Sequence, residues 1–374
     1  MTGAAVVDVH DLDWQAVRYA ADPVAVRARM QDVVTRMEAM LDSDDGIALL
    51  FDAHRASGDD RVIHVPATDE TAPLWFIGDL HGDLLALESA LACIRTEGNK
   101  NPGSPSRIVL LGDFVDDEGF SVETLIRIFE LILQAPAQVT FVAGNHDEAL
   151  SFDGTRFASS VAPSDFADFL NANLADEWIM RVGKLALRLT ARAPRALFLP
   201  GGLLVTHGGF PLVDLHARLE EAGDWNEAAC LADFTWARAH PKARRKMPNR
   251  FSRGSQFGHE DFTDFCALST RMGRPVTHMV RGHDHVDDRY AIYPAYGGRV
   301  LTTVALSRRL GREQFGPHER QPTMALWVPG ALPTVYRLHI PNELIHALFP
   351  ATAADDQAAQ SQADACAAAE STTP

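Results

Sequence analysis

Cysteine is scarce in this chain. Only Cys93, Cys230, Cys266 and Cys366 occur among 374 residues, far apart and without a C-x-x-C pair. That usage argues against a disulfide framework and a zinc finger, and it suits a reducing compartment. Positive charge is also short: 34 Lys+Arg stand against 50 Asp+Glu, a formal net charge of −16. A protein that grips nucleic-acid backbone needs the reverse balance, so no nucleic-acid partner is expected. Phosphorylated substrates remain open, because a bound metal can reverse the field locally. No apolar run approaches the roughly 20 residues that cross a bilayer. The opening residues Met1 to Asp8 lack a basic segment followed by an apolar one. A cytoplasmic protein without a membrane partner is expected.

What is present is globular. Hydrophobic residues make up 46% and charged ones 22%, enough to build a core. Residues 1–72 read as an N-terminal helical extension, because Ala16, Val17, Ala20, Val24, Val26, Met30, Val33, Val34, Met37 and Met40 keep helical spacing, broken at Pro23. Residues 73–349 alternate short β-rich runs with helical stretches and read as one α/β domain. Residues 350–374 are rich in Ala, Gln, Asp, Ser and Thr without periodicity, and a disordered tail is expected there. Thr323 to Val328 and Thr334 to Ile340 alternate like antiparallel edge strands.

One pattern recurs five times: an apolar run of strand length ends in a polar loop containing Gly or His. Leu74 to Ile77 leads into Gly78-Asp79-Leu80-His81-Gly82, and Ile108 to Leu111 into Gly112-Asp113-Phe114-Val115-Asp116. Val139 to Val142 leads into Ala143-Gly144-Asn145-His146-Asp147, Leu203 to Thr206 into His207-Gly208-Gly209, and His278 to Val280 into Arg281-Gly282-His283-Asp284-His285. Fully apolar strands imply cover on both faces. Helical patterns follow the first two loops, at Leu84–Ile94 and Val122–Leu133. In α/β sheets ligands collect beyond the carboxyl ends of strands, where these loops lie.

The polar residues gathered there are Asp79, His81, Asp113, Asn145, His207, His283 and His285. Carboxylate and imidazole donors without thiolates suit a borderline divalent ion such as Mn, Fe or Zn rather than a structural zinc site. Seven ligands exceed the needs of one ion, so two ions are expected, with Asp113 between them. Such a pair can hold a phosphoryl oxygen, activate water and stabilise an in-line displacement. Metal-assisted hydrolysis of a phosphate ester is the reaction class this implies. His146, adjacent to Asn145, is better placed to protonate the leaving oxygen than to ligate. Asp116 is the carboxylate expected to orient and charge its ring.

These motifs resemble those of the calcineurin-like metallophosphoesterases, and among them the phosphoprotein phosphatases. Gly78-Asp79-Leu80-His81-Gly82 is similar to G-D-x-H-G, Gly112-Asp113-Phe114-Val115-Asp116 to the start of G-D-x-V-D-R-G, and Gly144-Asn145-His146-Asp147 to G-N-H-E. His207-Gly208-Gly209 and Arg281-Gly282-His283 match the later histidine motifs, and the segment Asn249 to Gly258 resembles the region that supplies a phosphate-gripping arginine. The resemblance implies a sandwich of two mixed β-sheets flanked by helices. It implies Asp79, His81 and Asp113 on a first metal, and Asp113, Asn145, His207 and His283 on a second. It further implies His146 as general acid paired with Asp116, Asn145 also near the substrate, and Arg253 as a phosphate ligand.

Three departures stand out. Asp117 occupies the place of an arginine in the G-D-x-V-D-R-G motif, Ala143 replaces the arginine usual before G-N-H, and His285 adds a second histidine that would join the first metal. Loss of bidentate guanidinium contacts should weaken phosphate binding. The basic run from Pro241 to Gly254, or one of Arg281, Arg308 and Arg309, is expected to compensate. The resulting expectation is a phosphomonoesterase acting on phosphoserine, phosphothreonine or phosphotyrosine in proteins, through direct attack of a water-derived nucleophile held between two metals. A nucleotide or small-molecule phosphatase or diesterase, dinucleoside polyphosphates included, is the alternative. An inactive phosphate-binding scaffold is the third reading.

Overall fold

A computed structural model describes residues 5–43, 46–67, 72–100, 106–244, 254–313 and 316–352. Two six-stranded mixed sheets dominate it. The first runs in the order Val6–Val9, Thr334–Leu338, Thr323–Trp327, Leu74–Ile77, Arg107–Leu110 and Val139–Phe141, and its last three strands are parallel. The second runs Tyr290–Ile292, Val300–Thr303, His278–Arg281, Leu203–Thr206, Ala196–Leu199 and Val62–His64, with His278–Arg281 parallel to Leu203–Thr206.

The strands sort their side chains by the period of two. Leu74, Phe76, Val109 and Val142 of the first sheet meet Leu197, Leu203, Val205, Val280 and Leu301 of the second in a buried interior. Trp75, Ile77, Ile108 and Leu110 point the other way, onto helices that include Met30–Leu41, Leu84–Lys100, Ser121–Gln134 and Glu177–Arg192. The outer face of the second sheet, Leu204, Met279 and Val300, packs on Phe210, Phe234, Phe262 and Phe265. Each such side chain withdrawn from water contributes about 1.5–3 kcal/mol, which is why the runs had to be apolar throughout. The architecture is therefore a β-sandwich of two mixed sheets flanked by helices.

The N-terminal region differs from the expected helical extension. Its helices form, and Pro23 opens one of them behind an Asp22 cap whose carboxylate accepts the Val24 N–H at 2.9 Å. Yet Val6–Val9 pairs in parallel with Thr334–Leu338, and Val62–His64 with Ala196–Leu199, so this region supplies one edge strand to each sheet. Strands of four and three residues are too short to show a period. Thr323–Trp327 and Thr334–Leu338 are antiparallel as expected but lie inside the first sheet, because Val6–Val9 takes the edge. The expected tail falls, from residue 353 onward, outside the described residues. Cys93, Cys230 and Cys266 are free thiols, and burial pushes the Cys93 and Cys230 groups up to about 12. Among the described residues no helix is long and apolar enough to cross a membrane.

Candidate metal centre

All five motif-bearing loops leave the carboxyl ends of their strands and meet at one end of the sandwich. The sheets touch there: Asp79 bridges to Val304 in parallel fashion, and the Asp79 carbonyl accepts the Ala305 N–H at 3.0 Å. Tight approach makes the meeting possible. Gly112, at φ +91°, lies so close to Gly144 that an added Cβ would stand 2.3 Å from the Gly144 nitrogen. At Gly282 an added Cβ would stand 2.1 Å from Asp79 Oδ1. Gly282→Ala is therefore expected to displace Asp79 and cost about 1–3 kcal/mol by overpacking. Urea denaturation and metal content check this; a variant with unchanged values for both would refute the crowding argument.

Seven side chains named from the sequence converge. Asp79, His81 and His285 present ligand atoms within 4.8 Å of one another, and so do Asp113, His207 and His283. Asp113 stands between the groups, its Oδ2 3.6 Å from His81 Nε2 and 3.3 Å from His207 Nε2. Asn145 Oδ1 and His283 Nδ1 each lie 3.1 Å from His207 Nε2. His285 Nε2 is 3.2 Å from Asp79 Oδ2, which puts it with the first group. Backbone groups set the tautomers: His207 Nδ1 donates to the Leu111 carbonyl at 2.7 Å, and His81 Nδ1 to that of Val115 at 2.9 Å. Both Nε2 lone pairs are thereby turned to the cluster.

This arrangement fits divalent cations. Asp79, His81, Asp113, His207 and His283 are all buried, and so many acceptor atoms facing each other call for a positive ion between them. The field is legible in the titration of the cluster. Burial opposes protonation of His207, yet the charges of Asp113 and Asp79 carry it up to about 9. Burial likewise works against ionised Asp113, but His207 and His146 hold it well below the usual carboxylate range. Asp79, His81, His285 and Asp113 would hold one ion, and Asp113, Asn145, His207 and His283 the other.

His146 Nδ1 lies 2.7 Å from Asp116 Oδ2, and the His146 N–H donates to Asp113 Oδ1 at 2.8 Å. Burial disfavours the charged ring, but Asp113 and Asp116 together raise it above the ordinary histidine value. Asp116, Asp117 and Glu118 are three consecutive left-handed residues, with φ of 74°, 63° and 60°. Each such residue costs on the order of 1 kcal/mol, so other contacts must hold the turn. Asp165 does so by accepting the Asp117 and Glu118 N–H groups at 2.8 and 2.9 Å.

The expected compensating arginines are not at the cleft. Arg281 is fully buried and spends its guanidinium on the Gly208 carbonyl, Asp284 and Thr302. Arg308 is also buried, donating to the Asp117 carbonyl at 2.6 Å and lying over the Phe349 ring, so it braces the 116–118 turn from behind. Arg309 donates to the Glu313 carbonyl at 2.6 Å. Arg244 of the basic run pairs with Glu260 and Asp264. Arg253 lies outside the described residues.

Three contributors had gone unnoticed in the sequence. Asp147 accepts the N–H groups of Asp113, Phe114 and Gly144 at 2.7, 3.0 and 3.0 Å, locking two site loops together. Its place at the third helical position, from which its carboxylate accepts the N–H of the N-cap Gly144, is the signal that could have marked it. Arg238 and Arg312 line the cleft of about 450 Å³ beside Asp113, Asn145 and His146. Neither belongs to a motif, so nothing local distinguished them.

A sandwich carrying two adjacent Asp/His/Asn groups with a carboxylate between them, and a histidine paired with an aspartate at their edge, is the arrangement of a metal-dependent phosphoesterase. The family model described as calcineurin-like phosphoesterase matches residues 72–287, and the chain belongs to that family. It is 24% identical over 245 residues to human serine/threonine-protein phosphatase 5, covering 62% of this chain and 42% of that protein. To the serine/threonine-protein phosphatase 6 catalytic subunit of Drosophila melanogaster it is 23% identical over 236 residues, covering 62% and 69% respectively. The chain thus spans well under half the length of the phosphatase 5 relatives it matches. A solved protein serine/threonine phosphatase from Saccharomyces cerevisiae shares the fold, with a TM-score of 0.50 at 14% identity over 84% of this chain and 89% of that one.

Proposed function

We propose that the protein hydrolyses phosphomonoesters, with phosphoserine, phosphothreonine or phosphotyrosine in proteins as substrate and two divalent ions as cofactors. One observation carries this reading: the hydrogen-bonded His146–Asp116 pair lies against the same cleft as both ligand groups. Bound metals would supply charge neutralisation and an activated water. The chain's own residues do the rest. Asp116 orients His146 through Nδ1 and, with Asp113, favours its protonated form against burial, so that Nε2 is the nitrogen available to the leaving oxygen. Asp113 positions that histidine through its backbone N–H, which couples the acid to the bridging ligand. Likeness to serine/threonine phosphatases supports a protein substrate.

Asp117 and Ala143 favour a second reading, hydrolysis of diesters or nucleotides, whose lower charge needs less cationic help. Turnover of an aryl monoester, an aryl diester and a phosphopeptide with added manganese separates the two. Monoester and phosphopeptide turnover abolished by a chelator is the expected result. Faster diester turnover would replace the first reading by the second, and metal binding without any turnover would leave a phosphate-binding scaffold.

A further inference from the structure

Arg312 reaches the first ligand group from the cleft side. Its Nη2 is 2.9 Å from Asp117 Oδ2 and 3.3 Å from His81 Nε2. Both of these polar contacts run through one nitrogen of a five-donor fork, on a side chain 38% exposed in the cleft wall. Among the described residues the other donors meet no partner, which leaves them to a ligand lying over Asp113 and His146. Its backbone is fixed from the next residue: Glu313 pairs with buried Arg289 at 2.6 and 2.9 Å and accepts the Leu310 N–H at 2.9 Å. A long side chain held at its root and at its tip loses little further entropy when it binds.

The cleft needs such a group. Asp79, Asp113, Asp116 and Asp117 are all buried around it, and bound cations would be largely offset by these carboxylates. A phosphate dianion entering there meets His146 and Arg238, whose Nη1 is already engaged by the His283 carbonyl and Asp284. Arg281 and Arg308 are turned inward. Planar guanidinium donors match the tetrahedral oxygens of phosphate.

We propose that Arg312, delivered to the cleft by its ion pair with Asp117, grips the non-bridging oxygens of the substrate phosphate. Asp117 is then a positioning residue: it adds an anion at the wall but draws an arginine across from a distant loop. A metal on His81 Nε2 would take that lone pair, leaving the guanidinium to Asp117 and the substrate. The inference rests on the phosphoesterase reading of the cleft.

The test uses the manganese-loaded full chain and four proteins: wild type, Arg312→Ala, Arg312→Lys, and the double variant Asp117→Arg with Arg312→Ala. Calorimetric binding of inorganic phosphate, KM and kcat for an aryl phosphomonoester, and manganese content are read for each. Arg312→Ala should weaken phosphate binding and raise KM about ten- to a hundredfold, the range of a lost charge-assisted hydrogen bond, with manganese unchanged. Arg312→Lys should recover part of the loss. The double variant, which places the guanidinium directly at position 117, should recover more. Phosphate affinity and KM within twofold of wild type in Arg312→Ala would overturn the proposal. So would tighter manganese binding as its sole effect, since that would make Arg312 a competitor for the metal. A wild-type protein that neither binds phosphate nor turns over any ester fails at the earlier step, the phosphoesterase reading itself.

Discussion

Replacing Asp113 with asparagine is expected to remove at least about 10³-fold of kcat/KM and, on the proposed two-ion reading, to lower the metal content to one ion or none. Among the described residues, this carboxylate is the group that comes within 3.3–3.6 Å of imidazole nitrogens on both sides, His207 and His81. Asparagine keeps the shape and one acceptor oxygen but removes the charge that a shared ligand needs. Metals contribute several kcal/mol of transition-state charge stabilisation, and each 1.36 kcal/mol lost is about tenfold in rate. Elemental analysis and steady-state kinetics on the same preparation check both halves. Two ions retained with activity near wild type would show that Asp113 does not join the sites.

His146→Asn should behave differently. Metal content and KM are expected to stay close to wild type while kcat falls about 10²- to 10³-fold, the usual contribution of a positioned acid. The loss should be largest for poor alkyl leaving groups and smallest for nitrophenolate, which departs without a proton. Asp116→Asn, which breaks the 2.7 Å contact to Nδ1, should give a smaller fall with the same leaving-group trend. A uniform fall across leaving groups would remove His146 from the acid role. Loss of metal alongside activity would reassign it to ligand binding.

The two variants separate what each residue touches. Asp113 faces both ligand groups, whereas His146 donates its backbone N–H to Asp113, packs its ring edge-on against His81 with centroids 4.8 Å apart, and lines the cleft. Gly282→Ala probes the cage from a third side, by crowding Asp79 rather than removing a donor.

Much of this was open to inspection in the linear chain. Leu74 to Ile77 is apolar at every position and Leu203 to Thr206 at all but the last, a pattern that suits a strand covered on both faces. The glycine-flanked Asp and His residues that follow had to lie in loops at strand ends. Both inferences need only neighbours in sequence. The N-terminal edge strands escaped because three or four residues carry no readable period and find their place only against Thr334–Leu338 and Ala196–Leu199. The arginines were misplaced for a similar reason. Arg281 looked available beside a site histidine, yet it sits inside a cage of carbonyls and Asp284 that long-range packing brings to it.

Residue chemistry and local order alone thus pointed to the Asp, Asn and His donors, the loops that bear them and the pairing of His146 with Asp116. Tertiary structure decided that Val6–Val9 and Val62–His64 close an edge of each sheet, and that Arg312 rather than Arg281 or Arg308 reaches the cleft. The physical reason is reach. A hydrogen bond such as that from the His283 N–H to Asp79 joins residues 204 apart, and its geometry is set by how two sheets stack, not by anything either segment encodes alone.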